Sequence, residues 1–382
     1  METASRRVLI PINNPLGGVK TYTLSYIRYL CDEGFRFTVL APAGEAFDRF
    51  QDEAKNFPDM EFIAISGGSR FLKMIKGIRK ALKTGRFALT HSQGLQAGFQ
   101  TAVARWGLHV PAVITLHGVL VPQDDVPGRA KRFKKRLIGF FTKYTEEIIP
   151  VSEDCAVNHL ENFPEWKKGP CHITPILNGI DLNKFSDVHQ PEISLRKQFG
   201  FSEKKILLGF FGRFMPEKGF LPLLDALEIL ASRGYADRIC LIVTKDNEGY
   251  AHYFAEMRRN DTLKQMVYPV EPQNNIAPLI AQMNLVLMPS LWEACSLVSM
   301  ESMVMGVPFI GSDCIGVREV LRDTPCRMSL PNIPSSIAAE IEYYINHSWD
   351  EKAKDFAPEA KLRFDVRNGC KKMAEIYRKL LQ

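Results

Sequence analysis

No segment of the 382-residue chain approaches the roughly eighteen consecutive apolar residues of a membrane-spanning helix. The opening METASRRVLIPINN passes from a few polar residues straight into a short apolar run, without the longer apolar segment and cleavage site of a secretory leader. The expectation is therefore a cytoplasmic protein. Its eight cysteines include no C-x2-C pair, which argues against a zinc ribbon or a disulfide framework and reads as a reduced interior set. No Asp-x-Asp occurs either, so that paired-carboxylate arrangement for a divalent metal is missing. G-x-G-x-x-G is missing as well, which removes the dinucleotide fingerprint. Lys plus Arg exceed Asp plus Glu by 49 to 43, a mild leaning towards phosphorylated or acidic partners. No finger, helix-turn-helix or aromatic RNP pattern accompanies that excess, so nucleic acid is not an expected partner.

What is present is an ordinary globular composition, 46% hydrophobic and 24% charged, in a chain long enough for two domains of roughly 150 to 200 residues. Apolar strand-like runs at 7–12, 35–40, 61–65, 87–91, 111–116 and 147–150 alternate with helix patterns, and the alternation restarts at 205–210, 239–244, 266–270 and 285–288. Such alternation predicts α/β architecture with parallel sheets covered on both faces. Between the halves, SDVHQPEIS at 186–194 is polar and loop-like, a natural place to change domain.

Three stretches carry candidate chemistry. Gly17-Gly18 follows the first strand and precedes a helix pattern, where a tight turn with free N–H groups can receive an anion. His117 ends the strand at 111–116; as a residue type it reads most simply as a hydrogen-bonded strand terminus. RAKRFKKRLIGFFTK at 129–143 has six basic residues in its first eight beside an apolar stripe of Phe133, Leu137, Phe140 and Phe141. It is compatible with lying on an anionic bilayer. The shortness of its apolar face favours instead a domain-surface helix that buries the stripe and leaves the cations in water.

Residues 287–320, LMPSLWEACSLVSMESMVMGVPFIGSDCIGVREV, form a strand–loop–helix crossover with Glu293 in the loop and Glu301 inside the helix. The carboxyl edge of such a strand is where open α/β sheets bind ligands. Glu301 lies among Leu297, Val298, Met300, Val304 and Met305, surroundings in which a carboxylate is costly unless satisfied. The plain alternative is a helix cap at Glu293 and a half-exposed Glu301.

EACSLVSME, with the neighbouring PS, GVPFIGSD and GVREV, resembles the Glu-x7-Glu signature of retaining nucleotide-sugar glycosyltransferases with the GT-B fold (glycosyltransferase family 4, glycosyl transferases group 1). GRFMPEKG at 212–219 resembles that family's G-R-x-x-x-x-K-G segment, and VSEDCAVNHL and PILNGIDLNKF resemble two more of its stretches. The resemblance implies two Rossmann-like domains with parallel sheets facing each other across a cleft: an acceptor-side domain at 1–185, a nucleotide-sugar domain at 186–365, and a last helix at 366–382 returning to the first. It implies that Arg213 and Lys218 hold the donor diphosphate, aided by the amides of Ser296, Leu297 and Val298. Glu301 would accept from ribose hydroxyls and Glu293 from hydroxyls of the transferred sugar. Gly17 and Gly18 would border donor phosphates and acceptor, and His117 would lie by the reacting sugar.

The co-substrate implied is a nucleoside diphosphate sugar, UDP-linked first and GDP-linked second, with retention at the anomeric carbon and neither metal nor cofactor. The acceptor class stays open among glycans, lipid-linked glycans and small molecules. LIVTKDNEGY lacks the family's glycine-rich ending, so Lys245 or Asp246 is a candidate donor contact, and Pro269 replaces a usual glycine beside the base. Leu177 stands where the family has proline. Two other readings remain: an epimerase or glycosidic phosphorylase on the same fold, and a noncatalytic nucleotide-sugar binding or assembly protein.

Overall fold

A computed structural model describes residues 6–67, 70–121, 128–185, 194–245, 250–273 and 275–382. Asp246, most of the polar stretch 186–194 and the side chains of Arg129 and Lys131 lie outside the described residues. The chain forms two compact units, one made of Met1–Gly179 with Val366–Gln382, the other of Ile180–Asp365. Residues 180–185 thus go with the second unit, ahead of the boundary expected at 185. The reason is local: Ile180 bridges to Asp365, and its amide donates to Phe364 O at 2.8 Å.

The first unit is built on a parallel sheet of β1 (Arg7–Pro11), β2 (Arg36–Pro42), β3 (Glu61–Ile65), β4 (Leu89–Gln93), β5 (Ala112–Leu116), β6 (Glu147–Pro150) and β7 (His172–Ile173), in the order β3-β2-β1-β4-β5-β6-β7. Its central strands are apolar on both faces because helices cover both sides. The order reverses between β1 and β4, which opens a crevice at their carboxyl ends. β4 is the exception in composition: Thr90, His91, Ser92 and Gln93 are all buried. Partners satisfy them. Ser92 and Thr101 hydroxyls meet at 2.8 Å, and the His91 ring joins Tyr377 Oη through Nδ1 at 2.5 Å and Thr115 Oγ1 through Nε2 at 2.6 Å. Tyr377 belongs to the last helix, Val366–Leu380, which packs on the first helix, Gly17–Asp32. Gly369 permits that approach, since a Cβ there would meet Tyr26 Oη at 2.0 Å.

The second unit repeats the plan with β8 (Ile206–Phe210), β9 (Ile239–Thr244), β10 (Val267–Val270), β11 (Leu285–Leu287), β12 (Phe309–Ser312) and β13 (Arg327–Ser329), ordered β10-β9-β8-β11-β12-β13, all parallel. Its order reverses between β8 and β11. The chain segments leaving those two strands are the ones that carry Arg213, Lys218 and Glu293.

The basic helix spans Arg129–Thr142, and its stripe is not buried as the favoured sequence reading required. Phe133 and Phe140 are exposed, while Leu137 and Phe141 are only partly covered. A helix over Asp350–Arg363 runs straight through Pro358. Packing against the Leu297–Val304 helix holds it in place despite the backbone bond that proline removes. Among the described residues no helix is long and apolar enough to cross a membrane.

Candidate active site

In the second unit the turn after β8 runs through Arg213 to a single 3-10 turn, Pro216–Lys218, and then to the long helix Phe220–Ser232. Gly219 joins the two in the left-handed conformation (φ 70°), and a Cβ on it would meet Pro289 O at 1.8 Å. Only glycine lets the β8 turn seat against the β11 loop so closely. Leu291 N donates to Glu217 O at 2.7 Å and completes the seam.

Across it, Lys218 Nζ lies 2.5 Å from Glu293 Oε1, and Ser290 Oγ donates to the same oxygen at 2.9 Å. Ser290 is fully buried and its carbonyl accepts from the Ser312 hydroxyl at the end of β12. Glu293 N donates to Ile315 O at 3.0 Å, and Gly316 (φ 75°) leaves the room this needs, since a Cβ there would lie 2.4 Å from Glu293 O. Glu293 is therefore a fixed carboxylate in an ion pair, and the helix-cap reading does not hold: the Leu297–Val304 helix has Ser296 at its N-cap position.

The Ser296 amide donates to Gly316 O at 3.2 Å, which removes it from the anion site expected at 296–298. Leu297 and Val298 are the first two helical residues, whose amides have no intrahelical acceptor. Glu301, one turn further, makes no side-chain hydrogen bond or ion pair among the described residues, and burial pushes its carboxyl up to about 7 while Lys184 pulls in the opposite direction. Arg213 shares the loop of Lys218, is exposed, and has no side-chain partner among the described residues. The structure thus joins Lys218 to Glu293, but neither Arg213 nor Glu301 to that pair.

In the first unit Gly17 and Gly18 open the helix rather than forming a separate turn before it, and Gly17 has φ 55°. A Cβ on Gly18 would meet nothing within 4 Å, so that position is open space. His117 follows β5. Its Nε2–H donates to Gln93 Oε1 at 2.8 Å, and Tyr22 of the glycine-led helix lies edge-on to its ring at 4.6 Å. Burial lowers its pKa to about 3, so the imidazole is neutral and Nδ1 keeps its lone pair. That arrangement suits holding a hydroxyl better than abstracting a proton.

The sequence reading missed Gln93, Ser290, Gly219 and Gly316, which orient or seat the named groups. For Gly219 and Gly316 the signal was available: both glycines sit inside the quoted segments GRFMPEKG and GVREV. Among the described residues no cluster of three or more His, Cys, Asp or Glu gathers to hold a metal.

Two family models match this chain: Glycosyltransferase Family 4 over residues 16–184 and Glycosyl transferases group 1 over residues 192–363. Among similar proteins are an Escherichia coli UDP-Gal:alpha-D-GlcNAc-diphosphoundecaprenol alpha-1,3-galactosyltransferase, 23% identical over 79% of this chain and 77% of its own. A D-inositol 3-phosphate glycosyltransferase of Thermobispora bispora is 24% identical over 82% and 78%. In fold, the chain superposes on Anabaena Alr3699/HepE, solved with UDP and glucose, with a TM-score of 0.78 at 21% identity, covering 98% of this chain and 100% of that one. With one model on each unit and nearly the whole length between them, the chain belongs to the GT-B glycosyltransferases described by these two models.

Proposed function

We propose that this enzyme transfers a glycosyl group from a nucleoside diphosphate sugar to an acceptor hydroxyl, with retention at the anomeric carbon and without a bound divalent metal. The observation that carries the reading is the Lys218–Glu293–Ser290 cluster at the β8/β11 strand reversal, beside the first amides of a helix. A diphosphate placed there meets Lys218, the exposed charge of Arg213 and the amides of Leu297 and Val298. As the bond from the anomeric carbon to the phosphate oxygen breaks, its electron pair passes to that oxygen, where these donors stabilise the growing charge. The acceptor oxygen bonds to the anomeric carbon on the face the diphosphate leaves, and its proton passes to a phosphate oxygen. Glu293 accepts from hydroxyls of the transferred sugar and Glu301 from the ribose. His117 offers its neutral Nδ1 to a sugar hydroxyl.

UDP-linked donors come first and GDP-linked donors second. That order is supported by the Escherichia coli relative, a UDP-Gal-using galactosyltransferase, and by the Anabaena protein solved with UDP and glucose. The acceptor class is a glycan, lipid-linked glycan or small molecule hydroxyl. The test incubates purified protein with a panel of nucleotide sugars and a cell extract and identifies product by mass. Transfer from a UDP-sugar with the donor's anomeric configuration kept supports the reading. An inverted product, or a requirement for divalent metal, removes the corresponding part. Epimer formed without acceptor, orthophosphate-dependent chemistry, or donor binding without turnover would favour one of the other readings.

A further inference from the structure

The side of the first unit that carries the Arg129–Thr142 helix departs from ordinary surface chemistry. Phe133 is 63% exposed and Phe140 44%; beside them stand Trp106 at 60% and Tyr144 at 44%. The rings of Trp106, Phe140 and Tyr144 form one patch through Phe141 and Phe140. Phe140 meets Phe141 at 5.5 Å and Tyr144 at 5.7 Å, and Trp106 meets Phe141 at 5.7 Å. Trp106, Leu108, Phe141 and Tyr144 border a recess of about 180 Å3. Phe133 and Phe140 recur at helical spacing, so they share a side of the helix, with exposed Arg136 between them, and Tyr144 follows just past the helix end. Arg132 and Lys134 are exposed as well. Lys143 lies over the rings of Phe140 and Tyr144, 4.9 Å from each. Lys135 is tied to Asn162 Oδ1 at 2.6 Å and is not needed.

Aromatic rings with polar edges, ringed by cations, match the boundary between lipid headgroups and acyl chains. A second copy of the chain fits poorly, because a two-fold contact on this face would set its cations against each other. We propose that this face docks on a bilayer containing anionic phospholipid. Phe133, Phe140 and Trp106 enter the headgroup boundary while Arg132, Lys134, Arg136 and Lys143 meet lipid phosphates. The proposal goes beyond the transfer reaction and does not depend on it.

Vesicle sedimentation of the full chain tests it, comparing phosphatidylcholine mixed with phosphatidylglycerol against phosphatidylcholine alone. Binding is expected only to the mixed vesicles, falling as salt rises. Arg132→Glu, Lys134→Glu and Arg136→Glu together should weaken it roughly 100-fold. Phe133→Ser with Phe140→Ser should weaken it at least ~10-fold. Trp106 fluorescence should shift blue and be quenched by brominated lipid, with Trp106→Phe removing that signal from the background of the other three tryptophans. All substituted positions are exposed, and thermal unfolding verifies that each variant is folded. Equal binding to pure phosphatidylcholine, no binding to either vesicle, or a charge-reversed variant that binds like wild type overturns the proposal. Full binding by the serine variant with Trp106 unquenched overturns it too. Capture of an acidic protein in place of vesicles would assign the face to that partner.

Discussion

Lys218 Nζ stands 2.5 Å from Glu293 Oε1, joining two loops 75 residues apart in sequence, with only 17% and 13% of the two side chains exposed. A pair so far removed from water stabilises its loops only while both charges are present. Lys218→Ala and Glu293→Ala should each destabilise the chain, by about 1–3 kcal/mol, and the double variant by clearly less than their sum. Urea unfolding of all four proteins measures the coupling. Lys218→Ala should also weaken UDP at least ~10-fold by calorimetry. Strict additivity would mean the two residues do not act as a pair.

Glu301 titrates at about 7 in the folded chain against 4.5 in the unfolded one, because burial opposes its charge. The folded chain therefore holds a proton that the unfolded chain releases first, and stability declines as pH rises from 4.5 to about 7 and then levels. Glu301→Gln should unfold at a higher temperature than wild type above pH 7 and match it below pH 4.5. Donor affinity should move the opposite way in wild type, tightening as the carboxylate forms. Calorimetric titration with UDP across that window checks both halves, and Glu301→Ala should flatten the binding profile.

His91 and His117 are both pushed down to about 3 by burial, from a usual 6.5. The unfolded chain takes up protons from pH 6.5 downward that the folded chain refuses, so stability is lost progressively as pH falls towards 3. Each histidine steepens the loss by up to about 1.4 kcal/mol per pH unit. His117→Gln should reduce that slope by one histidine's share. In the active enzyme, His117 should leave no inflection in the rate near pH 6.5, and ring chemical shifts that titrate there would contradict its neutral assignment.

Gly219→Ala places a Cβ 1.8 Å from Pro289 O in a left-handed backbone, whereas Gly18→Ala places one in open space. The first should displace the Lys218 turn, cost about 2 kcal/mol or more and lower donor affinity; the second should fold like wild type. Differential scanning calorimetry and UDP titration of the two variants give the contrast. A tolerated Gly219→Ala would show that the two loops are not seated as tightly as described.

The strands legible in the sequence include β6 and β9, whose apolar runs are buried on both faces, and the half-buried edge strand β3, all at the bounds the pattern predicts. β7 and β13 are two and three residues long, too short to show a period. The helices Glu45–Ala54, Tyr250–Met257 and Asp261–Met266 went unread. The strand expected at 87–91 is β4 at Leu89–Gln93, extended through polar Ser92 and Gln93 because side-chain pairing across the fold satisfies its buried groups. The sequence reading placed Lys218 and Glu293 in one site but not in an ion pair, which depends on the adjacency of β8 and β11, and nothing local reveals that Ser296 N is taken by Gly316 O. The stripe at 133–141 has the period of a buried face and is exposed nonetheless, because periodicity describes which residues share a side and not what covers it.

The Tyr377–His91 link sews the end of the chain into the first sheet, so that unit contains both early and late sequence while Ile180–Asp365 is uninterrupted. On the ribosome the uninterrupted unit can close while the earlier-made one still waits for its final helix. A chain halted at Asp365 should consequently emerge with a sound second half and a loosened first half, the damage appearing far from the cut in sequence.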